Sequence, residues 1–180
     1  MQFKIIAAYD LNKQQRQQIG ELCFTAFDED PWSQYAFMQT AVHIVGILED
    51  NIVSHALWTD RIFTLKDGVT VKTAYIEYVT TDYKMRGKGL ASQLLRYLTY
   101  TLTTLGYELA ALQPEDETFY KKLDWISWWG NLCIKQDAST YLTDDYEIML
   151  FPLSVKLQDL LSHRLDDDTI CADWREGELW

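Results

Sequence analysis

The chain has 180 residues, of which 48% are hydrophobic and 14% aromatic, enough for one domain with a sizeable core. Its formal net charge of −11 argues against nucleic acid as a partner, because nothing resembles an extended basic face; a cationic partner is easier to accommodate, and unless the acids cluster at a site the acidity serves solubility alone. No apolar run is long enough to span a bilayer, and residues 1–4 lack the pattern of a secretion signal, so the chain reads as cytoplasmic with no membrane partner. Cys23, Cys133 and Cys171 are odd in number and widely spaced, which predicts neither a disulfide framework nor a zinc site. His43, His55 and His163 have no metal-ligand spacing, so no metal is expected.

Residues 3–9 read as a strand. Asp10 or Asn12 caps a helix that runs to about Phe27, with Leu11, Ile19, Leu22 and Cys23 at its apolar positions. Pro31 fits the first turn of a short second helix. Residues 42–48, 52–64 and 69–81 are extended runs joined by polar turns at 49–51 and 66–68, the pattern of an antiparallel meander. Leu90, Leu94, Leu95, Leu98, Leu102 and Leu105 then share one helical face, which Gly106 ends. Residues 107–112 read as a buried strand, 115–123 as a short helix, and 125–134 and 146–153 as the last strands. Residues 135–145 read as a loop, and the chain from 154 onward has weak periodicity. This order predicts an α/β (α+β) domain around one mixed sheet.

The junction at residues 83–91, Tyr-Lys-Met-Arg-Gly-Lys-Gly-Leu-Ala, carries the sharpest chemical signal. Glycines let a backbone approach a ligand closely, and free N–H groups at a helix N-terminus favour an anion. Lys84, Arg86 and Lys88 add positive charge. A strand before and a helix after make this a phosphate-binding turn.

Lys84-Met85-Arg86-Gly87-Lys88-Gly89 resembles the pyrophosphate-binding pattern of the GCN5-related N-acetyltransferases (GNAT), which is Arg or Gln, two variable residues, Gly, one variable residue, then Gly or Ala. Lys84 departs at the first position. Residues 119–125, Phe-Tyr-Lys-Lys-Leu-Asp-Trp, resemble the family's second landmark, with Asp124 in place of a glycine, a substitution that aspartate's tolerance of left-handed turns allows. The run Ala172-Asp173-Trp174-Arg175-Glu176-Gly177-Glu178-Leu179-Trp180 is similar to the ending of the aminoglycoside 2′-N-acetyltransferases, with Ala172 at a cysteine position and Glu178 at an aspartate position. Tyr75-Ile76-Glu77-Tyr78-Val79 matches that family's strand, and His43 and His55 sit at its spacing.

The resemblance implies a GNAT fold over residues 1–180, a central mixed, mostly antiparallel sheet flanked by helices, with a tail at 154–180 contributing to the acceptor site. It implies acetyl-coenzyme A as cosubstrate, held at the pyrophosphate by Arg86, Gly87, Lys88, Gly89, Leu90 and Ala91, and along its pantetheine arm by Val79 and Thr81. Transfer needs an unprotonated amine. Glu77 is the base that the resemblance implies, acting through water; the Trp180 carboxylate is a second candidate, or a substrate anchor. Tyr120 matches the general acid for the departing thiolate. Asp30, Glu77, Asp144, Glu178 and Trp180 are the substrate-binding set, suited to a polycationic aminoglycoside, with Trp32 and Trp180 able to pack on sugar rings. The alternative acceptors are a polyamine, an envelope amino sugar or a protein lysine; a coenzyme A-binding protein without catalysis is a third reading. Glu29 and Pro31 depart from the family around Asp30, so the acceptor pocket is expected to differ. The family is often dimeric, which makes a homodimer a further expectation.

Overall fold

Asn12 begins the first helix, α1 (Lys13–Phe27), through a capping box: its side chain accepts from the Gln15 backbone N–H, and the Gln15 side chain accepts from the Asn12 N–H. The helix closes at Asp28, which takes a left-handed conformation (φ 57°) and donates its N–H to Phe24. A computed structural model describes residues 1–34, 36–65, 68–143, 146–163, 168–177 and 180. The chain divides into two compact units, Met1–Thr59 with Ile76–Leu98, and Asp60–Tyr75 with Thr99–Trp180.

In the first unit, β1 (Gln2–Ala7) pairs antiparallel with β2 (Val42–Leu48), and β2 with β3 (Asn51–Thr64). Glu49 and Asp50, both at positive φ, make the turn between β2 and β3. Pro31 starts the short helix α2 (Pro31–Gln34). Ile19 and Cys23 of α1 are fully buried with Val45 of β2, and Leu11 and Ile52 join them in one apolar cluster. β4 (Thr70–Thr81) and α3 (Leu90–Thr104) follow β3 and, like it, run through both units. Leu94, Leu95, Leu98 and Leu102 of α3 are buried at helical spacing, while Leu105 lies past the helix end and is exposed.

In the second unit, β5 (Leu109–Leu112) pairs in parallel with Thr73–Tyr75 of β4 and antiparallel with β9 (Met149–Pro152), which also pairs with the two-residue β6 (Ile126–Ser127). β10 (Thr169–Asp173) runs antiparallel to the end of β3 and parallel to β7 (Asn131–Gln136), whose other neighbour is β8 (Ser139–Leu142). Two helices complete it, α4 (Glu117–Lys121), capped by Asp116, and α5 (Val155–Ser162), capped by Ser154. Phe63, Tyr75, Leu109, Leu150, Leu157 and Ile170 belong to its core. Strand pairing is thus mixed and mostly antiparallel, as the sequence predicts.

Four details differ from the sequence reading. The strand expected over 125–134 is two strands, because the chain bends at Gly130, where a Cβ would collide with the Asp168 carbonyl and the Trp128 ring. The loop expected over 135–145 contains the hairpin of β7 and β8, turning at Asp137 with φ 53°; β8 is exposed at every residue, so no apolar alternation marks it. Beyond 154 the chain forms α5, which buries Leu157 and Leu161, and β10, which buries Ile170, Cys171 and Ala172. Finally, Cys133 and Cys171 form a disulfide, against the expectation of none: parallel pairing of β7 and β10 sets these two residues opposite each other, with Cα atoms 4.3 Å apart. Cys23 stays a free, buried thiol. No helix among the described residues is long and apolar enough to cross a membrane.

Candidate functional site

In the first unit, the glycine-containing turn joins β4 to α3. Asp82 accepts from the Lys84 N–H and caps a single 3-10 turn at Tyr83–Met85. Gly87 and Gly89 follow at φ 75° and 73°, in the left-handed region where glycine carries no Cβ penalty. A Cβ built at either one meets nothing within 4 Å, so conformation, not crowding within the chain, requires glycine here. Lys84, Arg86 and Lys88 are exposed, and Arg86 also reaches the Thr81 carbonyl at 3.4 Å. The first N–H groups of α3, from Leu90 and Ala91 onward, have no partner within a helix and carry its positive dipole end. These features suit a pyrophosphate.

A cavity of about 270 Å³ adjoins this turn, lined by Glu21 and Thr25 of α1, Asn51 and Ile52 of β3, and Thr80–Tyr83 and Arg86. The buried Thr81 hydroxyl has no hydrogen-bond partner among the described residues. Such an oxygen is costly to leave unsatisfied. Upstream, β4 pairs with β5 only over Thr73–Tyr75, and the stretch Ile76–Thr81 continues beyond that ladder. Glu77 and Val79 are half-buried on it.

Tyr78, between them, is the feature that the sequence does not announce. It sits at φ 52° in mid-strand, a conformation that costs a side-chain-bearing residue about 1–2 kcal/mol. Its carbonyl oxygen lies 3.2 Å from His55 Nδ1, its hydroxyl 3.3 Å from Glu29, and its ring packs edge-on against Phe27. His55 Nε2 is in turn 2.9 Å from His43 Nδ1. Burial pushes His43 down to about 4, helped by the charge of Arg16, and pushes His55 well below its ordinary value, so both rings are neutral at pH 7. Burial, with the charges of Asp30 and Glu29, raises the Cys23 thiol to about 12, so it is no nucleophile. Asp30 is exposed and accepts from the Trp32 N–H at 3.1 Å.

In the second unit, Tyr120 is buried on α4, its ring edge-on to Phe119 and Trp125. Burial, with the charges of Glu115 and Asp116, holds its phenol well above the ordinary tyrosine value, which keeps it protonated as an acid must be. Asp124 takes φ 66°, the left-handed turn expected where the family pattern has glycine. Trp180 is 2% exposed; its indole N–H donates to Thr143 and its ring meets Phe63 edge-on. Trp32, in the first unit, is similarly engaged: its indole N–H donates to the Arg16 carbonyl.

The tail signature has a local explanation. Asp173 accepts from the buried Arg61 Nε at 2.9 Å and from the Ile62 N–H at 3.0 Å, while Arg61 also donates to the Asp173 carbonyl. Arg61 and Arg175 both lie over the Tyr75 ring. A lone arginine in β3 gave no sign of this role; only its alternation with buried Phe63 and Leu65 hinted that it points inward. Asp144 and Glu178, the other predicted substrate-binding acids, lie outside the described residues. Glu77 with the loop belongs to one unit and Tyr120 with Trp180 to the other. Among the described residues no group of His, Cys, Asp or Glu side chains gathers to hold a metal.

Known structures share this architecture. YhbS of Escherichia coli, a GNAT family N-acetyltransferase solved in complex with CoA, is 14% identical, with a TM-score of 0.63 over 98% of this chain and 91% of that one. E. coli ElaA is 18% identical, with a TM-score of 0.58 over 83% of this chain and 97% of that one. A probable N-acyltransferase from Enterococcus faecalis is 19% identical, with a TM-score of 0.55 over 69% of this chain. The chain spans only 32% of that protein's length, and 32% and 34% of two further structural matches. No curated protein matches the chain by sequence. The model of the acetyltransferase (GNAT) domain matches residues 7–127, two thirds of the chain, from the end of β1 through β6. This protein belongs to the GNAT acetyltransferase family.

Proposed function

We propose that the chain transfers an acetyl group from acetyl-coenzyme A to an amine by direct attack on the thioester. The observation that carries this reading is the turn at 83–91: two left-handed glycines, three exposed cations and the start of α3 form one anion cradle. Acetyl-coenzyme A, as the second substrate, supplies the activated acetyl group. Arg86 and the N–H groups of Gly87, Lys88, Gly89, Leu90 and Ala91 hold its pyrophosphate. Val79 and Thr81 accept the pantetheine arm as an added strand.

Glu77 takes the proton from the ammonium through water, freeing the nitrogen lone pair. Nitrogen bonds to the acetyl carbon and the carbon–sulfur bond breaks; Tyr120 gives its proton to the leaving thiolate, and the second proton, shed by the acylated nitrogen, returns to the phenolate through water. No acyl-enzyme forms. The resemblance of residues 172–180 supports the 2′-amine of an aminoglycoside as acceptor, held by Asp30, Asp144, Glu178 and Trp180, and antibiotic resistance as the outcome. A homodimer and a cytoplasmic location complete the reading.

One observation favours two of the other acceptors. The rings of Trp32 and Trp180, candidates for stacking on sugars, are taken up in protein packing. A polyamine or a lysine side chain needs no such platform, whereas an envelope amino sugar, the remaining alternative, presents a sugar ring. The test is a panel of amines with acetyl-coenzyme A, reading release of free thiol. Turnover of 2′-amino substrates but not their 2′-hydroxyl analogues is the expected result. Equal turnover of both sets rejects the regiochemistry, and no thiol with any amine rejects the transferase reading.

A further inference from the structure

Side chains from two strands form a one-way chain of donors that ends on a backbone carbonyl of β4. His55 of β3 is fully buried, with Nδ1 3.2 Å from the Tyr78 oxygen; His43 of β2, also buried, has Nδ1 2.9 Å from His55 Nε2. A carbonyl can only accept, so His55 carries its proton on Nδ1. Neutral His55 then accepts at Nε2, and His43 must donate from its own Nδ1. Direction is therefore set from the carbonyl backwards: His43 to His55 to Tyr78. The thiol of Cys23 flanks the same His55 nitrogen at 3.9 Å.

The carbonyl at the end of this chain belongs to the residue that most needs holding. Tyr78 is at φ 52°, and left-handed backbone at a bulky residue persists only when its surroundings over-determine it. Glu29 holds the hydroxyl, Phe27 the ring, and His55 the carbonyl. No peptide bond among the described residues is cis, so in the planar unit joining Tyr78 to Val79 the C=O and N–H point in opposite directions. A carbonyl aimed at His55 aims the Val79 N–H away from it. A carbonyl that accepts a hydrogen bond also polarises its amide, which strengthens the N–H as a donor.

We propose that His43 and His55 are positioning residues: a buried imidazole relay that locks the Tyr78–Val79 peptide and presents the Val79 N–H to the thioester carbonyl. The inference rests on the acetyl-coenzyme A reading above. Neither ring touches substrate; each acts through the backbone. The relay stabilises negative charge as it develops on the thioester oxygen, so its loss appears in turnover more than in cofactor binding.

The test uses His55→Leu, which removes the donor, and His55→Asn, whose amide N–H can stand where Nδ1 stands. For His55→Leu the expected result is kcat lower by about 10²-fold, the cost of a misplaced oxyanion donor, with KM for acetyl-coenzyme A within about threefold, and substantial recovery in His55→Asn. His43→Leu should give a smaller loss of kcat with the same split. Wild-type kcat in His55→Leu overturns the proposal, as does an equal loss in the leucine and asparagine variants. A second readout does not need turnover: the Val79 amide resonance in ¹⁵N-labelled protein should move in His55→Leu and return toward its wild-type position in His55→Asn. If the wild type acetylates no amine, this resonance decides alone, and an unmoved Val79 amide overturns the relay. If His55→Leu does not fold, His43→Leu takes its place in both measurements, and an unchanged kcat or an unmoved amide there overturns it equally.

Discussion

The glycine turn at 83–91 and the tail from β10 to Trp180 are the two stretches whose sequences speak most clearly, and the structure uses them in opposite ways. In the turn, the cations are exposed, both glycines have open space, and the nearby Thr81 hydroxyl has no partner among the described residues. In the tail, three of the described side chains that match the pattern are spent within the protein, Asp173 on Arg61, Arg175 over Tyr75 and Trp180 in the core, while Trp174 is exposed. A motif can persist because a ligand needs it or because a fold needs it. Unsatisfied donors and open space mark the first; burial with satisfied partners marks the second.

Glu77→Gln attacks the chemical side and should have the largest effect. Loss of the proposed general base should lower kcat by about 10²–10⁴-fold, with the affinity for acetyl-coenzyme A unchanged by calorimetry. Asp173→Ala attacks the structural side. It leaves the buried Arg61 without its carboxylate; because Asp173 itself is 44% exposed, the cost is that of one charge-assisted hydrogen bond, about 1.5–3 kcal/mol, read as a lower urea midpoint. Activity per folded molecule should hold if the Asp173 pattern is structural. A selective loss of acceptor turnover at full stability would return the tail to the acceptor site.

Acid separates the units differently. The buried His43 and His55 have folded-state values below the ordinary 6.5, so the unfolded chain binds more protons as pH falls. Their contribution is fully present above about 6.5 and is lost as pH drops toward about 4. For His43 this amounts to about 3 kcal/mol at ~1.4 kcal/mol per unit. Arg16, Cys23 and the Tyr78 carbonyl face this pair; none is an anion that would stabilise a charged imidazole, and the carbonyl's pull on His55 is outweighed by burial. Hydrogen exchange between pH 7 and 4.5 should therefore rise in α1 and β2 before it rises in β7 and β10, and His43→Leu should flatten the trend.

Legibility followed the same divide between local and distant causes. The cap at Asn12, the meander through β2, β3 and β4, and the buried face of α3 were readable, because each is set by neighbours a few residues apart. So was the left-handed turn at Asp124. The disulfide was not, since parallel register between strands 38 residues apart brings Cys133 to Cys171. Nor was the bend at Tyr78, where no glycine marks a positive φ and the cause is an imidazole from another strand. The His43–His55 pair was visible only as a spacing. Its meaning depends on which nitrogen meets which acceptor, and a sequence does not carry that.

Two glycines give the smallest and cleanest contrast. Gly87 in the turn and Gly177 in the tail take nearly the same backbone conformation, φ 75° and 88°. Alanine at either should cost about 1–2 kcal/mol of folding stability, because the strain of a Cβ at positive φ is a property of the residue, not of its neighbourhood. Their ligand effects should part. At Gly87 relaxation of that strain turns the 87–89 amides away from the anion, and the loss of one charge-assisted contact weakens acetyl-coenzyme A binding by about tenfold. At Gly177 the cofactor affinity should not change. Calorimetry on the two variants, matched by their unfolding midpoints, thus removes stability from the comparison. Equal affinities would mean that the turn, like the tail, is held by the fold alone.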